Sequence, residues 1–163
     1  MEKERLHFCI GRFDQYYDSV NSKSNVQLAL GVFVTGGLIS LYPWMQQKVD
    51  CTLYVHLLLG TEILIGLTAV LLTLMATTPY LASRGNSLHY FGSIAKMSGR
   101  KFAGQSQRMT ATEEIEDLRT QVSALAKGLR AKFIKLRVVS WLIIAQFILA
   151  IPFIVIVYIN LKK

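Results

Sequence analysis

Three stretches of the chain, Val26–Trp44, Leu53–Ala76 and Val138–Asn160, are apolar and nearly free of charge. At about 1.5 Å of rise per residue, each can cross the roughly 30 Å hydrocarbon core of a bilayer as a helix. Before the first stretch, Phe13, Tyr17 and Val20 recur at helical spacing. Between the second and third, Ile115, Leu118, Val122, Leu125, Leu129, Phe133 and Leu136 alternate threes and fours. That is one continuous apolar seam, and it calls for a partner helix. Thr110 and Glu113 have capping-box spacing at its start, with Glu114, Glu116 and Asp117 near the positive end of the helix dipole.

The pattern predicts an all-α integral membrane protein. It assigns an amphipathic lead-in helix to residues 1–25, spans to 26–44, 53–76 and 138–160, and an external loop to 45–52. A basic helical cytoplasmic module occupies 77–137, and a short external tail 161–163. Tyr42, Pro43 and Trp44 close the first span with aromatics and a breaker. In the module, Asn86 or Ser87 is positioned to cap a short helix over Leu88–Met97, which Ser98 and Gly99 then break. No breaker separates the capped helix from the third span, so one helix is expected from Thr112 to Tyr158, slightly kinked at Pro152. Such a helix would couple the module mechanically to the membrane.

Composition agrees with a membrane chain: 52% of its 163 residues are hydrophobic, more than a soluble domain of this size can bury. The N-terminal stretch has mixed charge and is not a signal peptide, so the first span is expected to be retained. Cys9 and Cys51 flank that span, which excludes a bond between them. Charge then sets orientation. Of 18 lysines and arginines, Lys3, Arg5, Arg12, Lys23 and the cations of the central module lie on one side, opposite Lys48, Lys162 and Lys163. The amino terminus is therefore expected inside and the carboxyl terminus outside.

Chemistry concentrates in two places. The first is the second span, where Glu62 lies close to the expected bilayer midplane. An ionisable residue there marks function by default. Glu62, Gly66, Ala69, Thr73 and Thr77 share one small, polar helix face. That face could line a conduction path in which rings of Glu62 favour cations. Alternatively, Glu62 is a neutral carboxyl hydrogen-bonded to Thr35, Ser40 or Gln146. On the first span, Gly36 and Ser40 form a shallow face suited to close helix packing, with a pore lining as the alternative.

The second place is the stretch LHYFGSIAKMSGRKF. Arg84, Lys96, Arg100, Lys101 and Arg108 stand between Pro79 and Met109 with no acid among them. His89, Tyr90 and Phe91 add rings that can stack on bases while the cations hold phosphates. Lys127 and Arg130 extend the basic character along the capped helix, where Arg119, Arg130 and Arg137 share a line. Such charges can face a vestibule, lipid headgroups or only solvent. The anionic ligands that fit are a nucleotide or a single strand. His7, His56 and His89 fall in the tail, a span and the loop, so they are not expected to meet. Without a nucleophile group, P-loop or metal cluster, no enzyme, cofactor or metal is expected.

The stretches RFDQYYDSVNSKSNVQLALGVF, SLHYFGSIAKMSGRKF and LRTQVSALAKGLRAKFIKLR, in this order, resemble the Pycsar effector transmembrane family of anti-phage defence. The resemblance covers nearly the whole chain and carries Leu88 to Ala95 with Lys96, Arg100 and Lys101 as its matching motif. It implies an inner-membrane effector paired with a nucleotide-synthesising protein and acting by impairing the membrane to arrest an infected cell. A minimal chain of this kind also resembles the effector of the Hailong defence system. That likeness implies an oligomeric channel, with a tetramer favoured, closed by short single-stranded DNA from a partner nucleotidyltransferase. Two other readings remain open: a proton-coupled transporter exchanging its proton at Glu62, and a scaffold recruiting a partner to the bilayer.

Overall fold

The computed structural model describes residues 1–49, 53–78 and 87–161. It contains α1 (Glu2–Lys48), α2 (Leu53–Thr77), α3 (Phe91–Ile94), α4 (Gly99–Arg108) and α5 (Ala111–Ile159). Among the described residues there is no strand; the one β-type contact is an isolated bridge between Val49 and Leu161. α1, α2 and α5 are each long and apolar enough to cross a membrane. The protein is thus an all-α membrane protein with three spans.

The chain divides into two units. The three-span unit takes Asn21–Thr78 and Phe133–Lys163. In it Gln27 Nε2 donates to Ser140 Oγ at 2.7 Å, and Gln146 Nε2 donates to Thr35 Oγ1 at 3.4 Å. These pairings ascend together, so α1 and α5 run parallel. α2 runs against both: Lys135 Nζ donates to the Met75 carbonyl at 3.1 Å, whereas Gln146 Nε2 reaches the Glu62 carbonyl at 3.3 Å. Met45, Val49, Val55, Leu59 and Phe153 pack one end, and Ala69, Val139 and Ile143 form a second cluster. Phe33, Leu64, Trp141 and Ile151 point outward and are exposed. Outward apolar faces are what lipid requires, because only the backbone must be satisfied internally.

The other unit takes Met1–Val20 and Pro79–Lys132, of which Ser87 onward is described. Here the seam of α5 finds its partner within the same chain. Leu118 and Leu129 are buried, as are Leu6 and Val20 from the first half of α1. The two helices run parallel: Lys3 Nζ pairs with Glu114 at 2.8 Å, and farther along Tyr17 Oη donates to the Leu125 carbonyl at 3.0 Å.

Four features differ from the sequence reading. The lead-in and the first span are one helix, and α1 continues through Pro43 to Lys48, past the expected start of the loop at Met45. A proline five residues from the end of a helix removes a single internal hydrogen bond, and helices in lipid tolerate that loss. The short helix after Ser87 is confined to Phe91–Ile94, with Tyr90 at its N-cap and no side-chain cap bond; Asn86 lies outside the described residues. Ser98 begins α4, its Oγ accepting the Lys101 N–H at 3.3 Å. Finally, Arg119 is committed to Glu2 at 2.8 Å and Glu116 at 3.3 Å, so it is not a free charge beside the seam.

Candidate functional site

In the non-spanning unit, local hydrogen bonds fix the aromatic stretch onto α5. Gln121 Nε2 donates to Ser87 Oγ at 2.8 Å, and the Leu88 N–H donates to Asp117 Oδ2 at 2.9 Å. The residues that follow are thereby held in place. The His89 ring meets His7 of α1 edge-on, with centroids 6.2 Å apart, and the Tyr90 and Phe91 rings lie 5.0 Å apart. Phe91 is 66% exposed, so its face is open to a stacking partner. Gly92 permits this arrangement: a Cβ there would come within 2.6 Å of the Tyr90 ring. His7 was missed in the sequence because it is remote from His89 in the chain, and the two histidines do meet after all.

The cations divide into engaged and free. Lys3 and Arg119 are ion-paired, and Lys132 is buried beneath the Tyr17 ring at 5.7 Å. Lys96, Arg100, Lys101, Arg108, Lys127 and Arg130 are all exposed, and none forms an ion pair with the described residues. Arg84 lies outside the described residues. Of the six, only Arg108 lines the cleft of about 520 Å³ in this unit, which also presents Gln105, Glu113, Glu116 and Asp117. Its carboxylates are already occupied by Thr110, Arg119 and the Leu88 N–H. Hydrogen bonds from Thr110, its main-chain N–H foremost, hold the Glu113 carboxyl below the usual carboxylate range, and the hydrogen bond from Lys3 does the same for Glu114. Three carboxylates on its wall make the cleft unfavourable for an anion.

The three-span unit has a polar meeting point. Glu62, Gly66, Ala69 and Thr73 are buried on α2, with Thr35 of α1 and Gln146 of α5 buried beside them. The absence of a side chain at Gly66 allows the contact. A Cβ there would collide with Thr35 Oγ1 and come within 2.6 Å of Gln146 Nε2. Thr73 satisfies its hydroxyl on the Ala69 carbonyl at 2.8 Å, whereas neither carboxyl oxygen of Glu62 has a hydrogen-bond partner. Gly36 and Ser40 are not part of this cluster. They lie on an exposed face of α1, with open space beyond Gly36. His56 packs against the Tyr42 ring at 6.1 Å, beside a lateral cavity of about 520 Å³ that also includes Gly60.

Comparison with known proteins gives a family match over residues 5–159, to the Pycsar effector protein domain, PycTM. No curated protein and no solved structure matches the chain. The family assignment accords with the three spans already described. The chain belongs to the Pycsar effector family and is a transmembrane effector of anti-phage defence.

Proposed function

We propose that this effector is a homo-oligomeric ion channel, with a tetramer favoured, held closed by short single-stranded DNA and opened when that DNA is lost. The observation that carries the reading is the set of six exposed cations, without an ion pair among the described residues, on the unit that also exposes the ring of Phe91. Cations along a strand path with stacking rings are what a single strand needs, and every base offers a ring face. The ligand would come from a partner nucleotidyltransferase and bind on the cytoplasmic side. Opening would depolarise the inner membrane and arrest the cell.

The buried polar face supports a pore along α2 in this reading. Within the chain, Glu62, Gly66 and Thr73 are buried, with Thr35 of α1 and Gln146 of α5 beside them. A shift of α5 would uncover that face, while Gly36 and Ser40 meet neighbouring subunits or the path itself. α5 is continuous from Ala111 to Ile159 and carries both Lys127 and Arg130 and the Gln146 contact. It is therefore the gating element in this reading. The test is oligonucleotide affinity against salt for the chain and for Lys96→Ala, Arg100→Ala, Lys101→Ala and Arg130→Ala combined. Each lost phosphate contact should flatten the log–log salt slope by about 0.7. Unchanged affinity and slope would place the ligand elsewhere.

A further inference from the structure

Glu62 is the one acidic side chain in the three apolar stretches. It is fully buried, with neither carboxyl oxygen hydrogen-bonded among the described residues. The amide N–H groups of Gln146 are directed away from the carboxyl. The Gln146 amide is engaged with the Glu62 main-chain carbonyl at 3.3 Å and with Thr35 Oγ1 at 3.4 Å. No opposite charge is available either. α1 has no ionisable group between Lys23 and Lys48 except Tyr42, and α5 has none beyond Arg137 except Tyr158. On α2 the other ionisable groups are Tyr54 and His56, and His56 packs on Tyr42.

A bare carboxylate enclosed in this way has lost its water and gained nothing in return, which is among the costliest arrangements a fold can hold. It must therefore carry a cation. A metal ion would demand a shell of several ligands, and among the described residues no group of three or more His, Cys, Asp or Glu side chains could hold one. A proton needs no shell.

We infer that Glu62 is a proton-binding site within the bilayer, occupied while α2 is packed against α1 and α5. When the packing opens, the carboxyl O–H bond breaks, its electron pair stays on the carboxylate, and the proton passes to an entering water. The inference rests on contacts within the three-span unit and does not depend on channel activity, so either can fail alone.

Dicyclohexylcarbodiimide tests it on the unaltered full-length protein in phosphatidylcholine liposomes. The acid proton moves to one carbodiimide nitrogen, the carboxyl oxygen bonds to the central carbon, and in a dry site the acyl group shifts to nitrogen as a stable acylurea. Peptide mass spectrometry should find the adduct on Glu62 at mildly acidic pH. Its yield should fall about tenfold per pH unit above the titration point and be indifferent to sodium chloride. Glu62→Gln should carry no adduct there. No adduct on Glu62 at any pH, or an adduct suppressed by sodium, would overturn the inference. Labelling of the native chain decides the matter even if the variant fails to fold.

Discussion

Gly66 lies where three helices come together, and its missing side chain is what lets Thr35 and Gln146 meet. Two effects compete on replacing it with alanine. Helix propensity favours alanine by about 1 kcal/mol, but the new methyl would overlap short, stiff side chains, and overpacking costs about 1–3 kcal/mol. Overlap should win because Thr35 has no long flexible end to withdraw. Gly66→Ala is thus expected to lower the midpoint of thermal unfolding in detergent, whereas Gly60→Ala, which meets open space, should hold or raise it. Equal behaviour of the two variants would mean that the three helices do not meet at Gly66. The polar residues of this cluster were legible in the sequence because spans with almost no charge make Glu62, Thr35 and Gln146 conspicuous. Which of them would touch was not, since that depends on the rotation of each helix about its axis.

At the level of elements, α5 begins where the sequence predicts. Thr110 Oγ1 accepts the Glu113 N–H at 3.3 Å, and Glu113 Oε2 accepts the Thr110 N–H at 2.8 Å. Thr110→Ala should cost about 1 kcal/mol, the usual loss for an N-cap side chain. The cap also sets a pH dependence. Glu113 and Glu114 are held below the usual carboxylate range, so their contribution is complete above about pH 4.5 and lost as pH falls through their folded values. Amide exchange over Ala111–Leu118 should accelerate on acidification, and Thr110→Ala should blunt the Glu113 part of that response. An exchange profile independent of pH after correction for intrinsic rates would contradict the cap's role. The seam of α5 was readable from its apolar spacing, but its partner was not. Phe13, Tyr17 and Val20 of α1 show helical spacing, but the parallel pairing with α5 joins segments distant in the chain. α4 escaped for a different reason. GRKFAGQSQR carries two glycines and little apolar periodicity, and it depends on the Ser98 cap and the half-buried Phe102 to hold its place.

For the whole molecule, the distribution of charge is the dominant fact. The chain has a formal net charge of +8, and Lys96, Arg100, Lys101, Arg108, Lys127 and Arg130 lie on the unit that does not contain the second span. Spans, charge asymmetry and family were all visible in the sequence, since each depends on composition along the chain. The division of the cations into engaged and free was not, because it depends on which acids the fold brings near. Lys3 and Arg119 find acids across the α1–α5 pairing; Lys96, Arg100 and Lys101 find none. Free charge of this kind attracts polyanions over distance and loses that attraction in salt. The central claim is that such an anion controls conduction. The most direct test is to record current across a planar bilayer containing the purified protein, before and after short single-stranded DNA is added on the side of the amino terminus. The account predicts a current carried by the unliganded protein and silenced by the DNA. Absence of current in both conditions, or a current indifferent to the oligonucleotide, would contradict it.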